Sequence, residues 1–131
     1  MSCIISIGQG TVHLLLPGIV PTRFDLYGSF TQEVTRIHQE SRLAQAEESA
    51  LLTLGQQLFS LLDGPHKDFS IYLERHGGPL LLEVHTTRMR KHRAEELAVF
   101  NGPWEILANG RGFLARDTAL RLAVKRSMGK G

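Results

Sequence analysis

The sequence predicts an α+β fold, a mostly antiparallel sheet of about five to seven short strands packed by one long helix or two consecutive helices. Three observations lead there. Short β-branched and aliphatic runs occupy both ends of the chain. A stretch of helical periodicity lies between them. Turn signals, not linkers, separate the segments.

The first strands are "CIISI" (3–7) and "TVHLLL" (11–16), parted by "GQG", which reads as a hairpin. "PTRFDLYG" (21–28) sets Phe24 and Leu26 against polar neighbours and reads as a third strand or an extended arm. Then the period changes. Ser29 with Gln32 fits a capping box, and Phe30, Ile37, Ala44, Leu51 and Leu58 recur every seven residues. The companion seam of Val34, Ser41, Glu48, Gly55 and Leu62 fails at Ser41, Glu48 and Gly55, so helices over 30–46 and 48–63 are expected in place of one coiled coil. "DGPH" (63–66) ends the second helix with Gly followed by Pro.

The second half returns to strands. "FSIYLER" (69–75) alternates Phe69, Ile71 and Leu73 on one face, and "PLLLEVHT" (79–86) alternates Leu80, Leu82 and Val84. With "HGGP" between them, the two runs predict a Gly-Gly hairpin. A short helix is expected from Ala94. In "NGPWEIL", Asn101 or Gly102 serves as cap, Pro103 takes the first helical position and Glu105 lies in the first turn. "ANGRG" is a turn. "FLA" and "ALRLAVKR" form a last hairpin or a bent strand, with Leu120, Leu122 and Val124 on one face. The expected core is Phe59, Leu62, Phe69, Ile71, Leu80, Leu82 and Val84, with Trp104 and Leu107 pinning the short helix to the sheet.

A chain of 131 residues fits one domain over 1–131, and 42% hydrophobic residues suffice for a core. "LLLPGIVP" and "PLLL" fall short of the ~20 apolar residues that span a bilayer, and "MSCIISIG" lacks the parts of a signal peptide. One Cys excludes an internal disulfide. The expectation is a cytoplasmic protein without membrane contact. Net charge is +2, but the basic residues cluster in "RMRKHR" (88–93) and "RLAVKRSMGKG" (121–131) while "QAEESA" (45–50) is acidic. Such a balance allows a polyanionic partner without demanding one.

No residue pattern carries chemistry of its own. Gly8-Gln9-Gly10 lacks the third Gly of a dinucleotide fingerprint, since His13 stands there, and a strand follows instead of a helix. The six His form no HExxH and no helical pair beside an acid, so no metal site and no cofactor are expected. His13 and His85 fall on strands at a sheet face, and His66 and His76 at turns. Cys3 opens an apolar strand and reads as a core or edge residue, because a nucleophilic thiolate needs a base and a lowered pKa. No Ser sits in a GxSxG elbow. Glu105 reads as a helix-start acid. Arg88, Arg90, Lys91 and Arg93 could contact phosphates. No aromatic residues interleave them for base stacking, so a solvated loop is favoured and an acidic protein surface comes second.

"LGQQLFSLLDG" (54–64), "PLLLEVHT", "LAVFNGPWEIL" and "GFLARDTALRLAVKRS" follow one another in an order that resembles CHAT-domain proteins, caspase-like and separase-related bacterial proteins often joined to tetratricopeptide repeats. Leu54, Gly55, Leu58 and Phe59 match an LG-x-x-LF stretch. Pro103, Trp104, Glu105 and Leu107 match a P-W-E-x-L turn, and Phe113, Leu114 and Ala115 match the strand that follows. The match covers about residues 50–127. In that family the protease core lies further on, with a His in a G-H-G-type motif and a later Cys. This chain has no "GHG" and no Cys after residue 3. The resemblance therefore implies a non-catalytic N-terminal region, packing on a protease core or another protein partner. The last strand is expected at a sheet edge, where unpaired backbone groups invite a partner strand. The alternative is a standalone basic adaptor that binds nucleic acid or an acidic protein through the 88–93 loop.

Overall fold

Apolar residues at every second position make the first two strands, and a short turn closes them into a hairpin. β1 (Ser2–Gly8) and β2 (Thr11–Leu15) pair antiparallel, with Ser6 opposite His13. β3 (Thr22–Asp25) adds antiparallel to β2. The computed structural model describes residues 2–8, 10–44, 47–87 and 94–129. Three helices follow in sequence, α1 (Ser29–Leu43), α2 (Glu48–Asp63) and α3 (Asp68–Arg75). β4 (Leu81–Thr87) then lies beside β1. α4 (Ala94–Phe100), the small hairpin β5 (Ala108–Asn109) and β6 (Gly112–Phe113), and β7 (Ala123–Gly129) complete the chain. One-turn 3-10 helices at Trp104–Ile106 and Leu114–Arg116 flank the small hairpin.

The fold is α+β as expected, but the main sheet is mixed. Its order is β3-β2-β1-β4-β7, with β1, β4 and β7 mutually parallel. Strand runs alone do not distinguish parallel from antiparallel partners. The crossovers do, and a helical connection such as α4 returns the chain to the same end of the sheet.

The described residues also contain one strand-to-helix change. Residues 69–75 form α3, not a strand, and no Gly-Gly hairpin joins them to β4. Phe69 and Tyr72, three apart, are buried, whereas Ile71 is 38% exposed and leaves the expected core. The buried Asp63 carboxylate decides the matter. It accepts hydrogen bonds from the Ser70 backbone N–H (2.7 Å) and the Ser70 hydroxyl (2.6 Å), which satisfies a free donor of the first turn.

Smaller departures follow the same logic of local partners. α1 starts at Ser29 with Gly28 as its cap, and no side chain hydrogen-bonds there, so the Ser29–Gln32 capping box does not form. Leu120 and Leu122 are buried, yet β7 begins only at Ala123. The Asp117 carboxylate gathers the N–H groups of Ala119 (2.8 Å) and Leu120 (3.0 Å) into a turn, and Arg121 follows at φ 43. Pro103 caps the 3-10 turn from outside it.

The core lies on one side of the sheet. Cys3, Ile5, Ile7, Val12, Leu14, Leu82 and Val84 share that face by register, and each is at most 2% exposed. Phe30, Val34, Ile37, Leu58, Leu62, Phe69 and Trp104 from the helices and turn join them in one cluster. Phe59 and Phe69 meet edge to face at 5.3 Å. The opposite face carries no helix among the described residues. Its side chains, Ile4, Ser6, His13, Leu15, Glu83 and His85, are all partly exposed.

Gly55 explains how α2 meets the turn at 103–107. A Cβ on Gly55 would overlap the carbonyl oxygen of Ile106 and stand 3.2 Å from the Ala108 Cβ. Only a residue without a side chain permits this approach. Gly in a helix interior costs about 1 kcal/mol relative to Ala, so the position gives up helix stability for packing. Gly55→Ala is expected to lower stability by about 2 kcal/mol or more, near the upper end of ordinary overpacking costs. Denaturant unfolding followed by circular dichroism checks the sign, since a simple helix effect would raise stability instead.

Candidate functional site

Pro103, Trp104, Glu105 and Leu107 do come together, and what they bind is the chain itself. Trp104 is fully buried, and its indole N–H donates to the Val99 carbonyl at 2.9 Å. Leu107 is fully buried; its N–H donates to the Trp104 carbonyl, and its own carbonyl accepts from Leu114 N–H at 2.9 Å. Pro103 is half-buried and sets the start of the turn. Gly102, just before it, fits tightly, since a Cβ there would lie 2.9 Å from Val34 Cγ1 and 3.0 Å from the indole nitrogen.

Glu105 has a different task from the helix-start role expected of it. Its two carboxylate oxygens receive the Nη1 and Nη2 groups of Arg126 on β7, a bidentate pair with Nη2–Oε1 at 2.8 Å. The same guanidinium donates from Nε to the Phe100 carbonyl (3.0 Å) and from Nη2 to the Gly102 carbonyl (2.6 Å). The Phe100 carbonyl ends α4, where a helix leaves its carbonyls without internal donors, and the Gly102 carbonyl lies two residues past the helix and also accepts from the Trp104 N–H at 2.9 Å. Arg126 thus joins α4, the Pro-Trp-Glu turn and β7 through one group. The chain signalled Glu105 through the motif; its partner could not be read, because Arg126 stands 21 residues away in a strand pattern that looks merely basic.

The other sequence candidates separate. Arg88, Arg90, Lys91 and Arg93 lie outside the described residues. Cys3 is fully buried on the helix-covered face of β1, and burial pushes its thiol up to about 12. A group so held stays protonated at neutral pH and is no nucleophile. His66 and His76 are exposed in the turns on either side of α3, and His76 stacks at a tilt against Tyr72 at 4.5 Å. His13 and His85 are partly exposed on the open face of the sheet, as expected.

A cleft of about 530 Å³ runs between α3 and the 109–120 segment, with Phe59, Ser70, Glu74, Arg111, Asp117 and Leu120 in its wall. Ser70 is already committed to Asp63 and Asp117 to the backbone of its own turn. Among the described residues no three His, Cys, Asp or Glu side chains converge as they stand on a point suited to a metal ion. No described helix is long and apolar enough to cross a membrane.

Beyond these side chains, β7 itself is exposed in a particular way. It forms one edge of the sheet and pairs with β4 over its whole length, from Leu81 opposite Ala123 to Thr87 opposite Gly129. No described strand pairs with its other side. Lys125 and Met128 are exposed along it. No protein-family model matches the chain, and no curated protein or solved structure matches it either.

Two outcomes follow from these geometries. The hydrogen bonds from Arg126 hold the Glu105 carboxyl below the usual carboxylate range, against the opposing pull of partial burial. A lowered folded pKa means that this pair stabilises the fold fully above the unfolded value of about 4.3 and loses its contribution as pH falls through the folded value. The melting-temperature gap between the unaltered chain and Glu105→Gln is therefore expected to be constant from neutral pH down to about 5 and to shrink below about 4. A gap that widens on acidification contradicts the pairing. Separately, Cys3 is expected to resist a thiol reagent in the native chain and to react fully in denaturant, a difference read directly by mass spectrometry.

Proposed function

We propose that this chain is a non-catalytic structural and interaction module, resembling the N-terminal region of CHAT-type, caspase-like proteins, and that it packs on a protease core or another protein partner. The observation that carries the reading is β7. It is a seven-residue strand with one side of its backbone unpaired by any described strand. Such an edge is a template for an added strand, in which main-chain hydrogen bonds supply affinity and alternating side chains supply specificity. Lys125 is the only charged side chain that protects it by exposure; Arg126 is drawn back to Glu105.

The resemblance gains support from how its elements fit. The LG-x-x-LF stretch and the Pro-Trp-Glu turn, 48 residues apart by their Gly55 and Pro103 positions, meet at the Gly55–Ile106 contact. Both are spent on internal packing, and Cys3 is sealed in the core, which agrees with a region that positions other parts of an assembly. The β7 strand is anchored at its midpoint by Arg126, which pairs with Glu105 on the turn.

The test uses hydrogen exchange on the chain in two settings. Recovered from its own cells with an antibody, the chain is expected within a larger assembly or a longer polypeptide, where the outward amides of β7 are slow to exchange. In the isolated chain the same amides should exchange quickly while those of β1 and β4 stay slow. A product of 14.6 kDa found alone in cells, with peptide-cleaving activity of its own, overturns the proposal.

A further inference from the structure

The backbone of β7 divides its hydrogen-bonding groups between two sides. The Ala123 N–H donates to the Leu80 carbonyl at 3.0 Å, on the β4 side. These groups alternate along a strand, so Ala123, Lys125 and Ser127 spend theirs on β4. Val124, Arg126 and Met128 each turn an N–H and a C=O outward, where no described strand takes them. The side chains alternate as well. Lys125 and Ser127 stand on the open face of the sheet, beside Glu83 and His85 of β4. Val124, Arg126 and Met128 stand on the helix-covered face, where Val124 packs against the core.

Laid antiparallel against its own copy, this strand meets itself without conflict in one register. A two-fold axis through Arg126 sets Ala123 opposite Gly129, Val124 opposite Met128 and Lys125 opposite Ser127, so that all seven residues pair. The outward groups of Val124, Arg126 and Met128 then face their counterparts, and facing residues of that kind exchange both hydrogen bonds. Met128, 44% exposed, gains the half-buried Val124 of the other copy as an apolar neighbour. Lys125 meets a serine and already has Glu83 beside it on β4. Only Arg126 meets its own kind, and its guanidinium is drawn away to Glu105 and two backbone carbonyls. Other registers are worse. An axis through Lys125 opposes two lysines directly, which destabilises a pair of strands. An axis through Ser127 shortens the pairing to 125–129 and sets Arg126 against Met128.

We propose that the strand added to β7 is the β7 of a second copy of this chain, giving an antiparallel two-fold dimer in which two five-stranded sheets become one. The inference rests on the reading of β7 as an interaction edge and names its occupant. A two-fold contact uses the same patch on both copies and closes on itself, so association stops at two. The contact is one strand wide and falls below a standard interface of about 800 Å² per partner. The dimer is therefore weak, and the dilute chain is monomeric with fast β7 amides.

Sedimentation equilibrium of the full chain from about 10 µM to about 1 mM, a range suited to a narrow interface, tests the association. The average mass is expected to climb from 14.6 kDa toward twice that value. Val124→Pro removes an outward donor and leaves the bonds to β4 in place, and it should weaken association about tenfold or more, since each copy loses an intermolecular hydrogen bond. Leu43→Ser, at a 90% exposed position on α1, should leave association unchanged. Circular dichroism verifies that each variant folds. A second measurement reads the register. Chains carrying Lys125→Cys and chains carrying Ser127→Cys are oxidised at high concentration, each alone and as a mixture. The axis through Arg126 brings these two positions face to face, so a disulfide-linked dimer should accumulate in the mixture and not in either chain alone. Cys3 is buried and does not take part. A mass that stays at 14.6 kDa at about 1 mM overturns the proposal, as does association indifferent to Val124→Pro or cross-linking strongest in either chain alone. In the first case, slow β7 amides in the cellular assembly would keep the edge with a different occupant, whereas fast ones there would remove the edge itself.

Discussion

Arg126 is the group on which the second half of the molecule depends. It leaves an edge strand on the helix-covered side of the sheet, where an unpaired cation would be expensive. Its planar fork solves this by distributing donors over Glu105, the Phe100 carbonyl and the Gly102 carbonyl. Each acceptor has its own reason to want a donor. The Phe100 carbonyl ends a seven-residue helix, the Gly102 carbonyl lies in the turn just after it, and the carboxylate sits on a one-turn helix too short to organise itself. A lysine in this place would bring a point charge with no fork, and could not serve a bidentate carboxylate and two backbone oxygens together.

The turn that Arg126 grips is fixed from the other side by α2. Gly55 lets the helix backbone touch the Ile106 carbonyl, and the indole of Trp104 closes the space beneath, donating to Val99. These contacts form a chain of constraint from α2 through the turn to β7. The helix sets the turn, the turn presents Glu105, and Glu105 holds Arg126. β7 therefore docks on β4 in a single register, although it has a neighbour on one side only. A strand with one partner usually slips more easily than a central one. Here the side-chain anchor compensates.

Much of this was legible in the sequence, and the rest was hidden for definite reasons. The interval 48–63 was readable because a seven-residue repeat and a Gly-Pro stop agree on the same boundaries. The core positions at Phe59, Leu62, Leu80, Leu82, Val84 and Trp104 were readable because large apolar residues at regular spacing have few places to go. α3 was not, because over eight residues Phe69, Ile71 and Leu73 fit an alternating period as well as Phe69, Tyr72 and Leu73 fit a helical one. The arbiter, Asp63, lies before the segment. The parallel strands were not readable either, since direction depends on how connections cross the sheet. For the candidate site, the motif marked Trp104 and Glu105, but their partners Val99 and Arg126 became visible only when the chain folded back.

The sheet that results is finished on one face and unfinished on the other. Parallel strands are commonly covered on both faces. Here β1, β4 and β7 are covered on one, and the uncovered side mixes Ile4 and Leu15 with His13, His85, Glu83 and Lys125. An apolar partner surface would leave those polar groups buried without partners, whereas solvent alone leaves aliphatic side chains wet. A face of this composition suits an occupant that is itself mixed. The edge makes a different demand. Backbone groups along β7 are satisfied by another backbone, whatever side chains that strand carries. Edge and face are thus two separate chemical problems placed on adjacent strands. The Arg126 anchor holds both in place, because it fixes β7 from the covered side and leaves Lys125 and Ser127 facing the open one.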